Sequence, residues 1–147
     1  MNILVIGESC LDVFHYGICD RLAPAAPVPV FNSTSVVTNG GMAMNVFNNL
    51  KILTEKVSIK TNDNWESIKK TRFVEEKANH MFLRLDENDN QYGRIDLEKI
   101  DFSLYDAVIV SDYNKGFLTT DDLKKISLSN KKTFLDTKKV LGDWCKN

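Results

Sequence analysis

Three prolines fall within six residues, at Pro24, Pro27 and Pro29. Proline has no backbone N–H and its ring clashes with the preceding helical turn, so no helix runs through residues 21–30. The missing donor also excludes a central strand, which leaves a loop or an edge strand. Residues 11–14 before the prolines are extended. Residues 28–37 are β-branched and predict a surface strand. Any fold for this chain must therefore hold an edge-forming β insert close to its beginning.

The remaining pattern is of another kind. Residues 3–6 form a short apolar run ending at Gly7, which predicts a buried parallel strand. Asn39-Gly40-Gly41 breaks the extended pattern. A helix is expected over residues 42–53, with Val46, Phe47, Leu50 and Leu53 on its apolar face. Residues 57–60 predict a strand, 63–67 a polar turn, and 70–75 with 81–86 a hairpin. Residues 106–111 are the strongest core strand. Thr119 with Asp122 resembles a capping box opening a helix whose apolar side is Leu123, Ile126 and Leu128. A last short strand spans 133–136. Alternating strands and helices favour a layered α/β fold with a parallel sheet. The proline-rich insert and the hairpin form a separate small β layer over one end of it.

A chain of 147 residues makes one domain and buries about 70% of its unfolded surface. With 43% hydrophobic and 27% charged residues it is neither disordered, collagen-like nor coiled coil. No apolar run reaches the roughly 18 residues of a membrane span. The opening residues lack the regions of a signal peptide. The expectation is a cytoplasmic protein. The net charge of −1 gives no reason to bind nucleic acid or an anionic membrane. Charge is uneven, however: residues 124–147 hold seven Lys against two Asp. That basic end is either a solvated face or a surface that attracts phosphate. Cys10, Cys19 and Cys145 have no disulfide-framework spacing, and no Cys or His pair has zinc spacing. No metal site is expected, and His15 and His80 stand alone.

Ligands of parallel α/β sheets sit at the carboxyl ends of the strands. Gly7-Glu8, Ser111-Asp112 and Asp136-Thr137 all fall at such ends. Gly40 and Gly41 let backbone approach a ligand closely, or simply turn the chain into the helix. Asn45 lies in the first helical turn, within reach of a hydroxyl. Asp12 is either a turn residue or an acceptor for two adjacent sugar hydroxyls. The loop Ser111-Asp112-Tyr113-Asn114-Lys115-Gly116 packs an acid, an amide and a cation together, and Lys115 suits a phosphate. Lys70-Thr71-Arg72 and Arg84-Leu85-Asp86 are surface charge on an edge hairpin, or a lid whose Arg meets an anionic substrate. Asp136-Thr137-Lys138 is either a strand end lining the same cleft or a strand end followed by a basic loop.

Together these segments resemble the ribokinase-like (PfkB-type) carbohydrate kinases, and most closely their heptose-7-phosphate kinase branch. Residues 7–17 resemble the branch's opening Gly-Asp-x-x-Leu-Asp run, with Glu8 in place of the usual Asp. Pro24-Ala25-Ala26-Pro27-Val28-Pro29-Val30 is similar to its Pro-Glu-Ala-Pro-Val-Pro-Val. Gly40-Gly41-x-x-x-Asn45 resembles the sugar-binding signature, Ser111–Gly116 the Ser-Asp-Tyr-x-Lys-Gly loop, and Asp136-Thr137-Lys138 its Asp-Pro-Lys. The resemblance implies a three-layer α/β/α domain with a β lid over about 13–38 and 69–86, often dimerising through that lid. It implies that Asp12, Gly41 and Asn45 bind sugar hydroxyls and that Arg84 and Lys115 face the phosphate end. Gly40, Asp112 and Lys138 complete the substrate-side set.

Two departures accompany it. The stretch between Leu53 and Lys70 is shorter than the family's. The Asn-x-x-Glu and Gly-Ala-Gly-Asp motifs that handle Mg²⁺, ATP and the catalytic base do not occur. No catalytic residue is therefore assigned. ATP and Mg²⁺ are implied by resemblance alone, and the expectation is a fold truncated on its C-terminal side. The leading reading is the sugar-binding half of an ATP-dependent sugar-phosphate kinase, completed by a second polypeptide or truncated. The alternative is a non-catalytic sugar-phosphate-binding or dimerisation module. A Rossmann-type nucleotide binder ranks last, because no Gly-x-Gly-x-x-Gly follows the first strand.

Overall fold

A computed structural model describes residues 1–129 and 132–145. In chain order the elements are β1 (Ile3–Gly7), β2 (Ser9–Leu22), β3 (Pro29–Met42), α1 (Ala43–Leu53), β4 (Val57–Lys60), β5 (Lys69–Glu75), β6 (His80–Glu87), β7 (Ala107–Asp112), α2 (Thr120–Ser129) and β8 (Thr133–Thr137), joined by short 3₁₀ turns. They build a mixed α/β structure with two four-stranded sheets.

The first sheet runs β4-β1-β7-β8 and is wholly parallel. Parallel strands between two helical layers are buried on both faces, which is why β1 and β7 read as continuous apolar runs. Ile3, Val5 and Val57 meet Ala43, Val46, Phe47 and Leu50 of α1 on one face. Leu4, Ile6, Val108 and Val110 meet Leu123 and Ile126 of α2 on the other, with Tyr92, Ile100 and Phe117 from the connecting segments. The helix start at Thr119 is a reciprocal capping box. The Thr119 hydroxyl accepts from the Asp122 N–H at 3.1 Å, and the Asp122 carboxylate accepts from the Thr119 N–H at 2.8 Å.

The second sheet runs β3-β2-β5-β6, with only β2 and β5 parallel. The prolines behave as their chemistry requires: Pro24 and Pro27 lie in the turn between β2 and β3, and Pro29 opens β3 opposite Leu22. A single residue, Glu8, separates β1 from β2, so the chain passes directly from one sheet into the other.

Three expectations need correction. Asn39-Gly40-Gly41 does not break the strand: β3 continues to Met42, pairing Gly40 with Leu11 and Gly41 with Cys10, because β2 supplies the ladder that glycine's own propensity disfavours. Leu128 is 84% exposed. Two residues from Ile126 is about 200° around a helix, so it lies on the far side. Leu53 shares the stripe of Val46 and Leu50 but is 80% exposed at the last residue of α1.

Candidate functional site

Strand alternation puts Cys10 and Asp12 of β2, Lys70 and Arg72 of β5, and Arg84 and Asp86 of β6 on one face of the second sheet. Register then aligns them: Asp12 stands beside Lys70, and Lys70 beside Asp86. Opposite this face come Tyr113 and Lys115 from the loop after β7, and Lys138 after β8. These groups, with Met42 and Asp89, line a cleft of about 270 Å³ between the two sheets. Five cationic side chains face three carboxylates there.

Each carboxylate has cationic partners. Arg72 donates to Asp12 at 2.5 Å and stacks its guanidinium 4.9 Å from the Phe14 ring centroid. Arg84 makes a fork to Asp86 at 2.7 and 2.9 Å, which holds the Asp86 carboxyl below its ordinary range and raises the guanidinium further. Asp89 gathers Lys70, Lys115 at 2.5 Å and the Tyr92 hydroxyl at 2.7 Å. Burial pushes the Asp89 carboxyl upward, but these three donors outweigh it and hold the group well below the usual carboxylate range. The Cys10 thiol is pushed up to about 11, first by burial and then by the Asp12 charge, so it stays a neutral thiol. Lys138 lies over the Tyr113 ring at 4.9 Å.

Two buried acids shape the loop that carries Lys115. Glu8 is fully buried, and its carboxylate accepts the N–H groups of Tyr113 and Lys115, both at 2.9 Å. An acceptor from the junction of β1 and β2 thus clamps the loop after β7. Asp112 accepts from Lys139 at 2.8 Å on both oxygens, from the Thr137 hydroxyl at 2.5 Å and from the Asn114 N–H at 3.0 Å. Its charge is spent on tying β7 to the end of β8.

The structure brings Asp12, Arg84, Lys115 and Lys138 together in the cleft. Gly41 adjoins it, since a Cβ there would stand 2.3 Å from Asp12 Oδ2 and 2.9 Å from Cys10 Sγ. Only glycine leaves room for the Asp12 carboxylate in that position. Gly40 instead faces Met44 of α1, Asn45 is exposed in the first turn of α1, and Asp112 turns toward β8. Met42, between Gly41 and α1, holds φ at 58°, a region that costs a non-glycine residue about 1–3 kcal/mol and clusters at functional sites. Sequence reasoning reads Lys70 and Arg72 as edge charge or as part of a lid and leaves them out of the substrate-side set, although their spacing of two, like that of Arg84 and Asp86, already places each pair on one strand face. It misses Asp89 and Tyr92 entirely, because nothing local marks a loop carboxylate that will meet two distant lysines. A larger cavity of about 460 Å³ lies on the other side of Tyr92, between Asn62 and Arg94, and contains none of the expected site residues. Among the described residues no three His, Cys, Asp or Glu side chains converge as a metal-ligand set, and no helix is long and apolar enough to cross a membrane.

No family model matches the sequence. It is 33% identical to the bifunctional protein HldE of Aliarcobacter butzleri, over 97% of this chain and 36% of that one. It is 33% identical to HldE of Sulfurimonas denitrificans, over 82% of this chain and 32% of the other, and 35% identical to HldE of Helicobacter pylori strain J99, over 88% and 35%. The chain thus spans about a third of the length of the curated relatives it matches. Among solved structures, a carbohydrate kinase from Agrobacterium tumefaciens aligns with a TM-score of 0.49 at 15% identity, over 88% of this chain and 50% of that one.

Proposed function

Because this chain is a homologue of the bifunctional HldE proteins along most of its length, we propose that its cleft binds the phosphorylated sugar of a carbohydrate kinase, a heptose-7-phosphate-like acceptor. The observation that carries the reading is Asp12. Its Oδ1 is held by Arg72 while its Oδ2 lies against Gly41, in a cleft with two more cations than carboxylates. A fixed carboxylate accepts two neighbouring sugar hydroxyls. The surplus lysines and arginines favour a phosphate on the same molecule. Arg72 orients Asp12, Glu8 orients Lys115, and the second sheet acts as the lid over the sugar.

Mg²⁺ takes oxygen ligands around one or two carboxylates and keeps several waters. Asp12, Asp86 and Asp89 are each already paired with a cation, so they do not fit that role, and no step is assigned to Mg²⁺ or ATP here. Phosphoryl transfer rests on positioning and charge stabilisation, and this cleft supplies the acceptor's position.

Calorimetry tests the reading. A heptose or hexose phosphate should bind, the corresponding free sugar should bind more weakly, and Asp12→Asn should cost at least about tenfold in affinity, roughly 1.4 kcal/mol. Equal affinity of Asp12→Asn, or no binding of any sugar phosphate, removes it. ATP turnover by the same protein, measured in parallel, separates a kinase from a module that only binds.

A further inference from the structure

We propose that Asp89 is an internal counter-anion standing where the ligand's phosphate binds, between Lys70 and Lys115, and that a phosphate dianion displaces it. The proposal rests on the phosphorylated-ligand reading above and names the position of that group. Lys70 comes from β5 in the second sheet, and Lys115 from the loop after β7 in the first. The two ammonium groups meet only through one carboxylate, Lys70 on Oδ1 and Lys115 on Oδ2 at 2.5 Å. A phosphate presents pairs of oxygens to two ammonium groups in the same way.

The carrier of Asp89 is suited to leaving. It belongs to no strand but to the short segment after β6, bracketed by Asn88 at φ 58° and Gly93 at φ 66°. Lys70, which is nearly buried, keeps Asp86 at 3.5 Å when Asp89 departs, so no buried ammonium is stranded. Tyr92 keeps Met42 Sδ at 3.6 Å as a second acceptor. The exchange replaces one negative charge by nearly two in a cleft with a cationic surplus. A neutral sugar leaves Asp89 in place, so the exchange lowers the affinity of phosphorylated ligands alone, and Asp89 narrows the difference between phosphorylated and free sugars.

Inorganic phosphate is the probe, titrated calorimetrically into the wild-type protein and Asp89→Asn, which keeps the shape but not the charge. Asp89→Asn should bind phosphate about tenfold more tightly, and Asp89→Asn with Lys115→Ala should lose that gain. In the wild-type protein, amide exchange over residues 87–93 should become faster at saturating phosphate, the reverse of ordinary ligand protection. Unchanged or weaker binding by a cooperatively melting Asp89→Asn, binding to neither protein, or slower exchange over 87–93 overturns the proposal. If Asp89→Asn fails to melt cooperatively, the wild-type exchange decides alone. Failure of the sugar reading looks different: Asp12→Asn then leaves sugar-phosphate affinity unchanged while the phosphate results stand.

Discussion

The two sheets are equal in strand number and opposite in character. Every residue of β1 is buried, and β7 is nearly so, because each lies between parallel neighbours and helices cover both faces. In β3 and β6 most residues are exposed, including Val36, Leu83 and Leu85. The face of the second sheet that turns toward the first carries the ion pairs of the cleft. The comparison shows a division of labour. The parallel sheet supplies the apolar burial that stabilises the fold, and the outer sheet holds charge where partial solvation makes charge affordable.

That contrast can be broken in order of expected effect. Leu4→Ala, at a fully buried position of β1, should cost about 2–5 kcal/mol in chemical denaturation. A loss below about 1 kcal/mol would mean that the parallel sheet is not the main source of stability. Glu8→Gln tests the junction between the sheets. It turns an amide donor toward the Tyr113 and Lys115 N–H groups and should cost about 1–3 kcal/mol for each donor left unpaired. Gly41→Ala should cost about 1–3 kcal/mol by overpacking, and should impair sugar-phosphate binding more than stability, because its Cβ displaces Asp12. Retained affinity would detach Gly41 from the site. The pH dependence sharpens the electrostatic half of the comparison. The Asp89 carboxyl is depressed in the folded state, so its contribution is complete above its unfolded value of 3.8 and fades as pH falls below that toward the folded value. The stability gap between wild type and Asp89→Asn should therefore close on acidification, and a constant gap would show that its charge is not what the lysines hold. The smallest effect belongs to the outer face: Leu85→Ser should change stability by no more than about 0.5 kcal/mol.

Much of the first sheet was legible before the structure. β1, β7, α1 and the Thr119–Asp122 capping box are local patterns, and local patterns survive into tertiary structure when packing agrees with them. The periodicity overstates the helix faces at Leu53 and Leu128, since it says which residues could be covered and not where the sheet stops. The site was legible in part. Asp12, Arg84, Lys115 and Lys138 reach one cleft, whereas Asp112 is drawn off by Lys139 and Gly40 by Met44, neighbours that no spacing along the chain reveals. Glu8 stood out in the sequence only as an unusual residue at a strand end. Its work as a buried clamp appears once Tyr113 and Lys115 fold over it.

By itself the sequence determined the core strands β1 and β7, the helices α1 and α2, and that a proline-bounded β insert must stand apart from the parallel sheet. Those outcomes follow from periodicity, missing N–H donors and caps, all of which act within a few residues. Only the tertiary structure decided which charges pair and which face the cleft. The partners Arg72 and Asp12, Lys115 and Asp89, and Lys139 and Asp112 are separated by 60, 26 and 27 positions. Strand register brings Arg72 to Asp12, and the packing of separate segments makes the other two pairs, because Coulomb attraction acts on distance in space and not along the chain.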